Sequence, residues 1–317
     1  MASLPPRQLP VIDLSVKNSN SSSSSWAGTC AEVRHALEEY GCFIALYDAV
    51  SRDLHDAAFV ASQEVHDLPV EVKVRNALDA TGYGYSGEKL AKMPLYQRLS
   101  IEDAATAEGT ERFTKLLWPS GNDTFCESVL MFSKAAAELE QNVMKMVAKS
   151  YGIEKHYESL LGSTTYILKF NKCLPPQKNE KETGVASHRD KSFMTVIHQE
   201  EEGKSLQIQA KDGEWIEVDL SPSTFIVMAG DVCMAWSNGR IQAPYHKVMM
   251  QGNKERYSLV LSSFIRGHKI EVPKELIDED HPLQFKAFDH YEYIQYVDSN
   301  TIQGIRVQDA IKSYCGI

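Results

Sequence analysis

The chain has 317 residues, 43% hydrophobic and 24% charged, with a formal net charge of −10. This is ordinary globular composition, long enough for one large domain or two small ones. The acidic balance argues against a nucleic-acid or anionic-membrane surface as the main partner, although it leaves room for a local basic pocket.

The longest apolar stretches, such as Phe225 to Ala229, are far too short to span a bilayer. Met1 to Arg7 lacks the apolar core of a signal peptide. The six cysteines (Cys30, Cys42, Cys126, Cys173, Cys233 and Cys315) are scattered without a C-x-x-C pair, which fits reduced thiols better than a disulfide frame or a zinc module. A soluble cytoplasmic monomer is expected.

Leu9 to Leu14 is expected to form a short strand. The serine-rich tract Asn18 to Ser25 should be a flexible surface loop. Val33, Ala36, Leu37 and Tyr40 recur at helical spacing, which predicts a helix from Trp26 to Tyr40 stopped by Gly41. Cys42 to Tyr47 has the character of a buried strand. Ser51 is a good N-cap for a helix reaching Leu68. Tyr83-Gly84-Tyr85-Ser86-Gly87 has loop chemistry. Asp123 or Thr124 should cap a long helix to Tyr151, with Val129, Phe132, Ala136, Leu139, Val143 and Met146 on one face and Gly152 at its end.

Beyond Gly162 the pattern changes to short, evenly spaced strands. They are Thr164 to Phe170, the strand leading into His188, Leu206 to Gln209, Trp215 to Val218, Thr224 to Met228, Val232 to Trp236, His246 to Met250 and Tyr257 to Phe264. That spacing indicates an all-β sandwich or barrel. With no repeat and no convincing linker, residues 1–317 are expected to form one domain. Residues 1–162 would be mostly helical, 163–268 a β core, and 269–317 a return to helix and loop.

The chemistry concentrates at His188-Arg189-Asp190. If both ligating residues sit at a strand end, i and i+2 point to one side, and an imidazole and a carboxylate converge. Such a pair alone is weak, since the chain has ten His and 43 acidic residues and offers a second match at His156-Lys-Glu158. That second match lies just past a helix end with no partner strand. His246, on a later strand, is the best third ligand. Two His and one carboxylate with open positions suit non-haem iron and oxygen chemistry. Downstream, Arg256 and Ser258 share one strand face. Facing a β core they require an anionic partner, because an unpaired buried charge is very costly. The alternative is that Arg256 is a surface residue at a strand start.

Taken together, His188-x-Asp190, His246 and Arg256-x-Ser258 resemble the Fe(II)- and 2-oxoglutarate-dependent dioxygenases of plants. So do Leu9-Pro10-Val11-Ile12-Asp13-Leu14, Tyr40-Gly41-Cys42-Phe43, Leu68-Pro69-x-Glu71-x-Lys73, Gly230-Asp231 and Trp236-Ser237-Asn238-Gly239. The similarity covers nearly the whole chain. Tyr47-Asp48 and Leu117-Trp118-Pro119 are most like the glucosinolate side-chain dioxygenase group, and the auxin-oxidising dioxygenases also look similar. The resemblance implies a mainly β fold with flanking helices (α+β) around a double-stranded β-helix, or jelly roll. It implies that His188, Asp190 and His246 bind Fe(II), that Arg256 and Ser258 bind the distal carboxylate of 2-oxoglutarate, and that Asn171 helps hold it. Substrate and O2 would be the other partners, with ascorbate supportive. The outcome would be hydroxylation, desaturation or O-demethylation of a small plant metabolite, with release of succinate and CO2. The carboxylate of Asp190 disfavours halogenation.

Two departures stand out. Many relatives carry Tyr where this chain has Cys173, and a thiol is a weak donor. Relatives often carry Phe where this chain has Ser262, with Phe264 two residues on. Tyr83, Tyr85, Tyr96, Phe113, Trp118, Lys169, Ser262 and Phe264 are candidates for the substrate pocket, with core packing the alternative for each aromatic. Lys169 would either meet an acidic substrate or be solvated at the barrel rim. The C-terminal helix with Tyr291, Tyr293 and Tyr296 would either lid the mouth or be purely structural. An oxidase of this fold that does not use 2-oxoglutarate, and a cupin-like binding protein without turnover, are the rival readings.

Overall fold

The structure, a computed structural model, describes residues 7–15, 23–77, 83–87, 93–177, 181–303, 307 and 309–317. Eleven strands carry the architecture. They are β1 (Val11–Asp13), β2 (Cys42–Leu46), β3 (Tyr96–Glu102), β4 (Thr164–Cys173), β5 (Glu182–His188), β6 (Met194–Gln199), β7 (Leu206–Gln209), β8 (Trp215–Glu217), β9 (Thr224–Ala229), β10 (His246–Met250) and β11 (Arg256–Ile265). The larger sheet runs β1-β2-β9-β6-β11-β4-β3, and the smaller runs β5-β10-β7-β8. All pairs are antiparallel except β1 with β2. Between the sheets lie Ile197, Ile226, Met228 and Val260 from one and Ile208, Ile216 and Val248 from the other. This is the jelly-roll core with flanking helices that the sequence suggested.

Strand alternation sends one set of side chains into the barrel and the other onto the helices. On β11, Arg256, Ser258 and Val260 face inward, while Leu259, Leu261 and Ile265 belong to the core shared with the helices. That outer core rests on the helices α1 (Ser23–Glu39), α2 (Arg52–Asp67), α3 (Ala107–Leu117) and α4 (Asp123–Tyr151). The expected apolar face of α4, from Val129 to Met146, is buried. Its N-cap is Asn122 rather than Asp123 or Thr124. The Asn122 amide oxygen accepts from the Phe125 N–H at 3.1 Å. Gly152 ends the helix in the left-handed conformation, at φ 70°. Ser51 caps α2 as expected, accepting from the Leu54 N–H at 3.2 Å. The serine-rich tract ends in helix, because Ser23 to Ser25 open α1. Residues 18–22 of that tract lie outside the described residues.

One expected strand is a helix. Val232 to Trp236 lies in α5 (Asp231–Trp236), all six of whose residues are buried. A helix buried all round has no amphipathic period, so its apolar run is indistinguishable from a strand. Gly230 shows why the chain turns there. A Cβ on Gly230 would lie 2.0 Å from the Ser192 carbonyl oxygen, so only glycine permits this close approach. The Asp231 N–H then donates to the Asp190 carbonyl at 2.8 Å. Thus α5 buttresses the turn that carries Asp190. The last long helix, α6 (His290–Ile302), packs across the same end of the barrel.

Candidate active site

His188 ends β5 and His246 begins β10, and the two residues pair directly across the smaller sheet. Their rings lie 4.2 Å apart, centroid to centroid. Asp190 reaches them from the turn after β5, and not by strand alternation as expected, because the strand stops at His188. One ligand atom from each of the three lies within 4.8 Å of the others. His188 Nδ1 meets the Ala186 carbonyl at 2.9 Å, and His246 Nδ1 meets the Pro244 carbonyl at 3.4 Å. If each Nδ1 carries the proton, each Nε2 presents a lone pair. Both Nε2 atoms face Asp190 Oδ1, at 3.7 and 4.0 Å. Burial alone would raise the Asp190 pKa. The neighbouring His246, Lys169 and His188 and a hydrogen bond from Thr195 outweigh it, and hold the carboxyl well below its usual range. Burial, then the neighbouring His188, pushes His246 down to about 4, so its imidazole is neutral. Two imidazoles and a carboxylate that converge in this way form a donor set that fits a divalent iron ion.

The triad opens into a cavity of about 550 Å³. Its larger-sheet wall is a register of inward-facing rows. Tyr96, Cys173 and Arg256 lie side by side across β3, β4 and β11, and Arg98, Asn171 and Ser258 form the next row. The Arg256 guanidinium is in the cavity and not on the surface. It donates to Gln199 Oε1 at 3.0 Å and to Ser258 Oγ at 3.1 Å, both neutral. Among the described residues no carboxylate pairs with it. Burial lowers its pKa, while Cys173 and Tyr96 oppose that shift. The Tyr96 hydroxyl donates to Asn171 Oδ1 at 2.8 Å. Cys173 is buried beside Arg256, and that burial raises its thiol pKa despite the guanidinium. The phenol missing at position 173 is thus matched by one from the adjacent strand in the same row.

Lys169 follows one row deeper. It is 7% exposed and donates to Ser262 Oγ at 3.0 Å. Ser262 in turn meets Thr195 Oγ1 at 3.2 Å. Burial pushes Lys169 down to about 8, against the pull of Asp190. The Tyr83 ring lies over this region, 4.7 Å from Lys169 Nζ, 5.2 Å from Arg98 Cζ and 5.8 Å from Lys191 Nζ.

Of the expected pocket residues, Tyr83, Tyr85, Tyr96 and Lys169 line the cavity. Phe113, Trp118, Ser262 and Phe264 do not. Phe113 and Trp118 pack on Phe125 behind the larger sheet, where Phe113 also stacks on the outward-facing Phe170. Ser262 and Phe264 have the inward parity, but Lys169 covers the first and Tyr83 the second, at 5.6 Å between rings. The helix α6 does reach the mouth, but through Val297, Asp298 and Thr301. Tyr293 instead donates to buried Asp231, Tyr296 packs on Tyr314, and Tyr291 lies against Arg266. Asp298 pairs with Lys191 at 2.6 Å, and Asp231 pairs with Arg189, so the turn holding Asp190 is tied to both α5 and α6. Arg98, Gln199 and Lys191 were not singled out from the sequence. Arg98 enters through β3, whose polar Arg98, Ser100 and Glu102 alternate with apolar Leu99 and Ile101; that alternation is a strand signal, but only the pairing of β3 with β4 shows that its polar side faces the cavity.

A jelly roll with two imidazoles and a carboxylate at one mouth, and an unpaired arginine in the same cavity, defines a non-haem iron oxygenase, and the comparisons agree. Residues 164–264 match the 2OG-Fe(II) oxygenase superfamily, and residues 9–120 match the N-terminal family described as non-haem dioxygenase in morphine synthesis. The chain belongs to the 2-oxoglutarate- and Fe(II)-dependent oxygenases and is similar to the AOP group of plants. The Arabidopsis thaliana protein named "Probable 2-oxoglutarate-dependent dioxygenase AOP1" is 38% identical over 295 residues, which cover 91% of this chain and 96% of that protein. The rice dioxygenase for auxin oxidation superposes with a TM-score of 0.81 at 27% identity, over 97% of this chain and 100% of that one. The Arabidopsis thaliana dioxygenase for auxin oxidation, in its 2-oxoglutarate complex, gives 0.76 at 26% identity, over 87% and 100%. The chain is therefore a 2-oxoglutarate-dependent non-haem iron dioxygenase, with Fe(II) and 2-oxoglutarate as its cofactor and cosubstrate.

Proposed function

We propose that the protein oxidises an unactivated C–H bond of a small plant metabolite, by hydroxylation, desaturation or O-demethylation, with release of succinate and CO2. His188, Asp190 and His246 hold the iron, and Arg256 with Ser258 anchors the distal carboxylate of 2-oxoglutarate. The observation that carries this reading is the pairing, in one cavity, of the converging Nε2 and carboxylate donors with a guanidinium that has only neutral partners. Iron with 2-oxoglutarate supplies the oxidising chemistry; the residues of this chain position both carboxylates and exclude water. Val185, Leu206, Val248 and Val260 line the cavity and exclude water around the metal ligands. Ascorbate is expected to support turnover.

Anaerobic addition of Fe(II) and then 2-oxoglutarate to metal-free protein is expected to produce a weak visible charge-transfer band only when both are present. Iron binding without the band would overturn chelation of the cosubstrate at the triad.

Tyr96 takes over the role left vacant at Cys173. Its hydroxyl orients Asn171 within the row next to Ser258, so Tyr96→Phe should weaken 2-oxoglutarate binding by the value of one hydrogen bond. That is about 1 kcal/mol, or roughly fivefold in the half-saturating concentration. An unchanged 2-oxoglutarate dependence in steady-state succinate assays would assign Tyr96 to packing alone.

A further inference from the structure

Lys169 is a buried cation for which the cofactor and cosubstrate leave no partner. The residue is 7% exposed, and its ammonium donates to the neutral Ser262 hydroxyl. Among the described residues no carboxylate lies within 4.0 Å of it, although the other lysine and arginine of the turn are paired, Lys191 with Asp298 and Arg189 with Asp231 and Asp309. Asp190, whose field acts on Lys169, is committed to the metal in the reading above. Fe(II), the 2-oxoglutarate dianion, Asp190 and Arg256 together sum to zero charge, so they leave no net negative charge for Lys169. A buried ammonium without a counter-charge costs several kcal/mol, so its retention in a cavity wall calls for an anion that arrives with the substrate.

Position separates this cation from the cosubstrate anchor. Along β4, Cys173 pairs with Arg256, Asn171 with Ser258 and Lys169 with Val260. Lys169 and Cys173 are four residues apart on one strand, about 13 Å between Cα atoms. On the larger sheet the row of Arg98, Asn171 and Ser258 lies between them, Ile197, Leu206, Val248 and Val260 supply the aliphatic part of the cavity lining, and the Tyr83 ring covers the ammonium. A cavity of about 550 Å³ has room for a small second molecule beside 2-oxoglutarate.

We propose that the oxidised substrate is a small organic acid whose carboxylate pairs with Lys169, while its apolar body lies against Tyr83 and the aliphatic wall. Ser262 and Thr195 fix the direction of the ammonium through their hydroxyls, which explains why Ser262 stands where a bulky side chain would displace it. This inference rests on the active-site reading above, since it presumes that Arg256 takes the cosubstrate.

The test uses the Fe(II)- and 2-oxoglutarate-loaded protein without oxygen, with calorimetry as the readout. The probes are phenylacetate, 3-phenylpropionate and cyclohexylacetate, each with its primary amide. The acids are expected to bind at least 10-fold more tightly than their amides. Lys169→Met should abolish that preference, Lys169→Arg should retain part of it, and both should keep the wild-type affinity for 2-oxoglutarate, which also reports that they are folded. Equal affinity for acid and amide, silence of every acid, or a preference that survives in Lys169→Met would overturn the proposal. So would a Lys169→Met variant whose only loss is in 2-oxoglutarate affinity, which would make Lys169 a cosubstrate anchor. Failure of the active-site reading itself is distinct, because then the Fe(II)–2-oxoglutarate complex would not form in the unaltered protein.

Discussion

Asp190→Ala is expected to lower ferrous-ion affinity by more than about 100-fold and to abolish succinate formation. Substituting groups that merely support a metal ligand costs roughly 10- to 100-fold, and removing one of three protein ligands should exceed that. The carboxylate is also the only anionic donor of the three, so its loss leaves two neutral imidazoles facing a dication. The backbone at this position should persist. The Asp190 carbonyl still accepts from the Asp231 N–H, and the neighbouring side chains remain tied, Arg189 to Asp231 and Lys191 to Asp298. The metal-free variant should therefore fold but melt somewhat below the unaltered protein near neutral pH, because the depressed pKa of Asp190 means that its ionised carboxylate stabilises the fold, and it should also lose the stabilisation that added Fe(II) confers. Equilibrium dialysis with iron and a thermal melt with and without it measure both. An Asp190→Ala protein with undiminished iron affinity and turnover would sink the assignment of the triad.

The legible parts of this site are those written locally in the chain. His188 and Asp190 are two residues apart, as are Arg256 and Ser258, and strand and turn geometry makes such pairs meet. The short, evenly spaced strands made an all-β sandwich or barrel legible, while the jelly roll in particular came from the family resemblance. What the sequence hides is register. Tyr96 and Cys173 meet Arg256 only because β3, β4 and β11 align row by row, and nothing near Tyr96 in the chain says so. Parity is legible where depth is not. Ser262 and Phe264 do point inward, yet Lys169 and Tyr83 lie between them and the cavity. Aromatic residue type is the weakest guide. Phe113 and Trp118 have the composition of a substrate wall, and they belong to the apolar layer between α3, α4 and the outer face of the larger sheet. The tyrosines of α6 mislead in the same way, since the face that reaches the cavity carries Val297, Asp298 and Thr301.

Arg256→Ala should raise the half-saturating concentration of 2-oxoglutarate on the order of 10- to 100-fold. Hydrogen bonds to charged groups contribute about 1.5–3 kcal/mol, and each 1.4 kcal/mol is tenfold. The rate at saturating cosubstrate should fall much less, because the guanidinium holds the end of the molecule remote from the metal. Removing a buried charge usually leaves its partner exposed to an unsatisfied environment. Here Gln199, Ser258 and Cys173 are neutral, so the cosubstrate-free variant should be as stable as the unaltered protein or more so, since a desolvated guanidinium is gone. Stability and cosubstrate affinity are thus expected to move in opposite directions. A guanidinium that merely braced the barrel would show the reverse, a lower melting temperature with 2-oxoglutarate affinity unchanged. Arg256→Lys separates charge from shape. It keeps the cation but loses the fork that can take a carboxylate through two parallel N–H groups, so its 2-oxoglutarate requirement should fall between those of the unaltered protein and Arg256→Ala.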